Sequence, residues 1–330
     1  VPTTSLDPAL ATDLAGLRLR SPVILGAGTA GVLDEADDVL PLEALGAITT
    51  KSLTAQPREG NQTWRMIPAR AGMLNAIGLA NPGIDAFCEH IAPRIPTLPV
   101  PIIASVAGFS IDDYVRVAAR LDELGTLGAI ELNVSCPNVH GGTDFAVDPR
   151  ALAELIRAIR PVCSQSRLLV KLSPVVVGSP ALHELARICI DPPGATENSG
   201  PNARPGADAL TIANTIPAMA IDVRTRQPRL ANRTGGLSGP AIHPVIVKLV
   251  HDVYRTVAKT TDTPIVALGG VLTWEDAAEF ILAGATAVAV GTALFADTRA
   301  PLKITRGLHK WVRRQNAGSI AELIGAAELA

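Results

Sequence analysis

The chain has 330 residues, 48% of them hydrophobic and 3% aromatic, with a formal net charge of −2. That is enough apolar material for a sizeable core, and a single (β/α) barrel can use the whole length. The near-neutral balance excludes the basic face of a nucleic-acid binder, and the scarcity of aromatics excludes a base-stacking platform.

In chain order, short runs rich in Val, Ile, Leu and Ala recur between Gly, Pro or Asn. They are "PVILGAG" (22–28), "AITTKSL" (47–53), "PIIASVAG" (101–108) and "AIELNVSC" (129–136), followed by "RLLVKLSP" (167–174), "ALTIANT" (209–215), "PIVALGG" (264–270) and "AVAVGTA" (287–293). Without strict alternation, such runs read as strands covered on both faces, as in a parallel sheet. Helical patterns lie between them: "IDDYVRVAARLDEL", "DPRALAELIRAIRPV", "PALHELARICI", "PVIVKLVHDVYRTVAK" and "TWEDAAEFILAG". Asp148 and Thr273 are the expected N-caps, and Gly284 the left-handed residue that ends its helix. The alternation predicts an α/β fold, a TIM (β/α)8 barrel forming a single domain over residues 1–330. A doubly wound open sheet is the alternative. The Pro- and Gly-rich stretch 191–206 joins a helix to a strand, which puts it on the N-terminal face as a solvated excursion. The stretches 54–81 and 216–239 follow strands and are expected as long loops on the C-terminal face.

Four cysteines, Cys88, Cys136, Cys163 and Cys189, are scattered with no CxxC pair, so no disulfide frame and no zinc or iron–sulfur site is expected. No apolar run reaches about 18 residues and no signal-peptide layout opens the chain. A soluble cytoplasmic protein is expected, bound to neither membrane nor nucleic acid.

In a barrel the strand ends converge on the C-terminal face. Here they carry Ala27 and Gly28, Lys51 and Ser52, Ser105, Asn133 and Cys136, Lys171, Asn214 and Thr215, Gly269 and Gly270, and Gly291 and Thr292. Singly, a lysine there is a snorkelling surface residue, an asparagine a turn former and a cysteine a small buried hydrophobe. Together they read as a site. Glycines ending the seventh and eighth strands suit a phosphate, because its oxygens can approach backbone N–H groups with no Cβ in the way.

The segments "TTKSLT", "REGN", "GMLNAIGLANPG", "ELNVSCPNV", "VKLSP", "NRTGGLSGPAIHP", "ALGGV" and "AVGTALF", in this order, resemble class 1 dihydroorotate dehydrogenases, flavin barrels of pyrimidine biosynthesis. "GMLNAIGL" and "TGGLSGPAI" are most similar to subclass 1B. The resemblance implies FMN-dependent oxidation of dihydroorotate to orotate, with Cys136 as the general base and hydride transfer to flavin N5. It implies that Asn75, Ala76, Ile77, Gly78, Leu79, Asn133, Asn138, Asn214 and Thr215 hold the pyrimidine, and that Lys51 touches both substrate and flavin. Contacts to one FMN fall on Ala27, Ser52, Ser105, Asn133, Lys171 and Ala213, and on Gly239, Gly269, Gly270, Gly291 and Thr292. No metal ligands are implied in this chain. Ala27 stands where relatives usually have serine, and Ser105 where subclass 1B commonly has asparagine. The subclass further implies a homodimer that binds electron-transfer subunits carrying FAD and a [2Fe–2S] cluster, with NAD as final acceptor. "GAGTAG" does not have the spacing of the dinucleotide fingerprint GxGxxG. A thiolate can take the C5 proton of dihydroorotate if its surroundings pull its pKa toward neutrality. Asparagines suit a ring that bears both donors and acceptors. His140, just beyond the cysteine, is expected to face solvent. The alternatives are a fumarate-linked class 1A enzyme, a flavin barrel acting on another dihydropyrimidine, an RNA-modifying flavin barrel, and a non-catalytic barrel scaffold.

Overall fold

The structure is a computed structural model that describes residues 8–135, 145–174, 178–195 and 204–328. Eight parallel strands close into a barrel: β1 (Val23–Leu25), β2 (Ile48–Thr49), β3 (Ile102–Val106) and β4 (Ala129–Asn133), then β5 (Arg167–Leu172), β6 (Ala209–Ile212), β7 (Ile265–Leu268) and β8 (Ala287–Val290). Each lies within one of the eight expected runs. Their continuous hydrophobicity has a geometric cause, because alternate residues serve two different cores. Ile24, Ile103, Ala129, Leu169, Ala209, Val266 and Ala287 point inward. Leu25, Ile102, Leu132, Val170, Leu210 and Val290 point outward onto the helices. Each fully buried Leu, Ile or Val contributes about 1.5–3 kcal/mol.

The helices Ile111–Asp122, Pro149–Ile159, Leu182–Ile190, His243–Val253 and Trp274–Ala283 fill the expected positions. Asp148 caps its helix by accepting from the N–H groups of Arg150 and Ala151, and Thr273 forms a capping box with Asp276. Gly284 ends the last of these at φ +119°. After β8 come a short helix, Ala293–Ala296, and a long one, Ala300–Arg314.

The barrel floor is a hairpin, Thr12–Leu14 with Leu17–Leu19, whose Leu14 and Leu19 join the inner core. Arg167 at the start of β5 ties it down, donating to the carbonyls of Ala15 and Gly16. The described ends of the 191–206 excursion also lie on this N-terminal face. Arg204 there donates to Thr263 Oγ1 (2.8 Å) and to the carbonyl of Asp262 (2.7 Å), just before β7.

At the other end, the two stretches expected as loops pair with each other. Ile216–Met219, Thr234–Ser238, Gly72–Asn75 and Met66–Ala69 form a four-stranded antiparallel sheet, with Leu237 opposite Leu74. Its own small core is Ile67, Leu74 and Leu230. These segments follow β2 and β6, so the sheet stands over the C-terminal mouth. No helix among the described residues is long and apolar enough to cross a membrane.

Candidate active site

The inward side chains change character along the barrel axis. Above the apolar floor, β4 supplies the buried Glu131 and then Asn133, β5 supplies Lys171, and β6 supplies Thr211, whose hydroxyl donates to Glu131 Oε2 at 2.7 Å. The mouth above is a cavity of about 1120 Å³. Ligand pockets usually span about 300–1,000 Å³, so this one has room for a large ligand or for two stacked rings.

Asn133 is the fixed point. Its Oδ1 accepts from Asn214 Nδ2 (3.2 Å) and from the Ser135 N–H (3.3 Å), and its carbonyl accepts from the Tyr114 hydroxyl at 2.7 Å. Its Nδ2 points to Ser52 Oγ at 3.5 Å. A buried amide held from this many sides presents one orientation to whatever lies above it.

The two lysines have the opposite status. Lys171 is 5% exposed, Lys51 is half-buried, and neither ammonium has an ion-pair or hydrogen-bond partner among the described residues. Burial holds the Lys51 pKa below the ordinary lysine range, and the nearby charges of Lys171 and Arg65 push it the same way. A buried and a half-buried cation with no anion among the described residues call for a ligand that carries or develops negative charge.

Opposite them, β7 and β8 end in bare backbone. Gly270 adopts φ +74°, and a Cβ there would come within 2.7 Å of the Gly239 carbonyl and 2.8 Å of His243 Cβ. At Gly269 a Cβ would meet Ile246 at 2.6 Å. Only glycine fits this turn, which leaves its amides open to anion oxygens.

A third wall is the segment 75–79, which the sheet delivers to the rim. Asn61 Nδ2 donates to the Ala76 carbonyl (2.9 Å) and its N–H to that of Ile77 (2.9 Å). Arg58 Nε donates to the Gly78 carbonyl at 3.3 Å, with its guanidinium 4.8 Å from the Phe109 ring centroid. Asn75 Nδ2 reaches the Gly236 carbonyl at 3.4 Å, joining this wall to the sheet.

Of the expected site residues, Ala27, Lys51, Ser52, Asn75, Ala76, Ile77, Gly78, Leu79, Asn133, Lys171, Ala213, Asn214, Thr215, Gly269, Gly270, Gly291 and Thr292 all line this one cavity. Ser105 and Gly239 are not among its lining residues. Ser105 is fully buried and turns its hydroxyl onto Ser52 Oγ at 2.9 Å, so it sits one layer behind. Gly239 backs the Gly270 turn. Cys136, Asn138 and His140 lie outside the described residues; Ser135, directly before Cys136, lines the cavity. Arg58 and Asn61 were given no role from the sequence, although "REGN" was among the segments carrying the resemblance. What they do is hold carbonyls of another loop, and that leaves no pattern in the sequence.

Truncating an amide that meets a polar ring leaves the ring's buried edge unsatisfied, at a cost of about 1–3 kcal/mol. On the resemblance to the dihydroorotate dehydrogenases, Asn75→Ala and Asn214→Ala are expected to weaken orotate binding by that amount with a normal flavin spectrum. Titration of orotate against flavin absorbance measures it, and unchanged dissociation constants in both variants would remove the amides from the ligand site.

These features define a (β/α)8 barrel whose C-terminal mouth gathers two lysines, an amide wall and a glycine turn around one cavity. Within that class, the family model of dihydroorotate dehydrogenase matches residues 9–312, and the chain belongs to this family. It is 43% identical over 324 residues to the catalytic subunit of dihydroorotate dehydrogenase B (NAD(+)) of Trichlorobacter lovleyi, covering 98% of this chain and 100% of that protein. To the protein of the same name from Geotalea uraniireducens it is 42% identical over 320 residues, covering 97% and 98%. The relatives' names agree with the subclass that the sequence resembles. A solved structure of DHODH from Eimeria tenella, in complex with ferulenol, shares the fold with a TM-score of 0.77 at 20% identity, over 98% of this chain and 90% of that one.

Proposed function

We propose that this chain, as a single barrel domain, is the catalytic subunit of a cytoplasmic, NAD-linked dihydroorotate dehydrogenase that converts (S)-dihydroorotate to orotate for pyrimidine biosynthesis. The observation that carries the reading is the conjunction in one cavity of two unpartnered lysines, a glycine-only turn and an amide wall. These residues fit FMN. Gly269, Gly270, Gly291 and Thr292 would hold its phosphate, and Lys171, Ser52 and Asn133 its ring edge. FMN supplies the two-electron acceptor for the hydride leaving C6 of the substrate. Cys136 takes the proton from C5. Lys51 favours negative charge on the ring next to the substrate. Asn75, Asn133, Asn214 and Thr215 orient the pyrimidine with their donors and acceptors, joined by Asn138. The wall 75–79, braced by Arg58 and Asn61, limits water over the reacting carbons.

The relatives' designation as a catalytic subunit supports a partner chain. We assign to it the FAD and [2Fe–2S] cluster that this chain has no sequence fingerprint to bind, in a heterotetramer built on a homodimer of this chain.

The purified chain is expected to release FMN on denaturation, identified by mass spectrometry. It should bleach its flavin anaerobically with dihydroorotate and reduce an artificial dye, but reduce NAD only when the electron-transfer subunit is added. Release of FAD, or no flavin after reconstitution, would overturn the cofactor assignment. Direct reduction of NAD, or rapid turnover with fumarate, would overturn the acceptor assignment.

A further inference from the structure

Tyr114 sits in the first turn of the helix Ile111–Asp122, which follows β3, and it is fully buried. It is not among the residues that line the mouth and stands one layer behind them. Its hydroxyl donates to the carbonyl oxygen of Asn133 at 2.7 Å. The β3–β4 ladder ends with Val106 opposite Leu132, one residue short of Asn133. A buried carbonyl needs a donor, and past the end of that ladder a side chain brings one.

The ring holds a second wall. Phe145 meets it edge-on, with centroids 5.9 Å apart and planes at 88°. Ala146 and Val147, which follow Phe145, line the cavity. The ring also lies against Gly108, where a Cβ would come within 2.8 Å of Tyr114 Cδ2, so the chain leaving β3 carries no side chain at that point. The element that bears the tyrosine is itself fixed. Ser110 Oγ accepts from the Asp113 N–H, and Asp113 Oδ2 accepts from the Phe109 N–H, both at 3.1 Å. Phe109 in turn faces the Arg58 guanidinium, whose Nε holds the Gly78 carbonyl.

We propose that Tyr114 is a positioning residue for the substrate ring, one that fixes the Asn133 backbone from behind and, through it, the paired amides of Asn133 and Asn214. The proposal rests on the reading that these amides take the pyrimidine. An asparagine side chain is short, so where its amide points follows closely from how its backbone is held. Asn133 Oδ1 accepts from Asn214 Nδ2, and a shift of the first amide therefore moves the second. Without the Tyr114 hydroxyl, the Asn133 carbonyl stays buried and loses this donor, and its peptide is free to turn toward another. The barrel still closes, but the amides meet the ring out of line. A purely structural hydroxyl has a different signature: its loss lowers stability and leaves the folded protein's affinity for ligand as it was.

The test is Tyr114→Phe in FMN-loaded protein, a change that keeps the ring, its contact with Phe145 and its fit against Gly108. Orotate is titrated against the flavin absorbance, and flavin reduction is followed by anaerobic stopped flow. Orotate binding should weaken about fivefold or more, the fold-change that one net hydrogen bond corresponds to. Reduction at saturating dihydroorotate should slow about tenfold or more, since a small displacement of the bound ring is costly to hydride transfer. The discriminating measurement is a double-mutant cycle with Asn133→Ala, which keeps the carbonyl that Tyr114 holds and removes only the amide. If Tyr114 acts through that amide, adding Tyr114→Phe should weaken orotate by less than about twofold beyond Asn133→Ala alone. Asn214→Ala serves the same cycle if Asn133→Ala holds no flavin, and the two losses should again fall short of additive. Fully additive losses, or an unchanged orotate affinity with only a lower Tm, overturn the proposal and leave the amides as the ligand site. A wild-type protein that binds FMN but not orotate overturns both.

Discussion

Cys136→Ala is expected to slow reduction of the bound flavin by dihydroorotate by about 10² or more, with the amount of flavin bound unchanged. The substrate's C5 proton must go to a group that is basic near neutral pH, and the polar groups described in the mouth are poor candidates. Asn75, Asn133, Asn214 and Thr215 are not bases, and protonated lysines are donors only. Cys136 is also the only cysteine in the chain next to a cavity-lining residue, Ser135. The remaining three are ruled out by position: Cys163 and Cys189 are buried in the barrel wall, where burial pushes the Cys163 thiol up to about 12 and the Cys189 thiol higher still. Cys88 is half-buried among outer helical turns, and burial raises its pKa as well. Cys136→Ser is expected to recover part of the rate at raised pH, because a hydroxyl is a far weaker acid than a thiol. Anaerobic stopped-flow bleaching of the flavin is the measurement. A wild-type rate in the alanine variant would make this thiol a bystander.

The barrel was legible because its strands are buried on both faces, so each run stays apolar without interruption and ends where the chain must turn. The rim residues followed from the same rule, which is why Lys51, Asn133, Lys171 and Asn214 could be placed on one mouth before any contact was known. The sheet above the mouth was not legible. "MIPA", "GMLN" and "TGGLS" are short, broken by Pro or Gly, and have no alternating pattern. Met66–Ala69 and Gly72–Asn75 form a local hairpin, and it joins Thr234–Ser238 only across a long separation, Asn75 with Gly236. Two further elements carry signals in the sequence. The floor hairpin has an Ala15–Gly16 turn with both residues at positive φ between alternating apolar residues. The helix Ala300–Arg314 has Ile304, Leu308, Trp311 and Val312 buried at helical spacing. Ser105 is fully buried behind Ser52, and a strand-end list does not separate a rim residue from one just beneath it.

Asp208→Ala is expected to be the most destabilising single change outside the mouth, by about 3–5 kcal/mol. Asp208 stands just before β6, and its side chain is 1% exposed. Its Oδ2 accepts from Arg160 Nη1 at 2.8 Å and from the Leu168 N–H at 2.7 Å. Arg160, itself 4% exposed, also donates from Nη2 to the Cys163 carbonyl at 2.5 Å. The pair therefore joins the helix before β5 to the starts of β5 and β6. Removing the carboxylate takes the 2.8 Å ion-pair partner from the buried Arg160 guanidinium and the acceptor from the Leu168 amide. Both losses fall where water cannot replace them. Asp208→Asn keeps an oxygen for Leu168 but no charge for Arg160, and should lose less. Arg160→Met together with Asp208→Leu removes both charges and should recover much of the loss, because desolvating an ion pair costs about as much as the pair returns. Thermal melting of holoprotein at fixed FMN concentration reads this as a fall in Tm of about 5–10 °C for Asp208→Ala. The far end of β6 leads into Asn214 and Thr215, on the opposite face of the barrel from the ion pair. Protein that remains folded should therefore keep its rate of flavin reduction. A Tm within about 1 °C of wild type would mean that the barrel wall relaxes around Arg160 and lets water in.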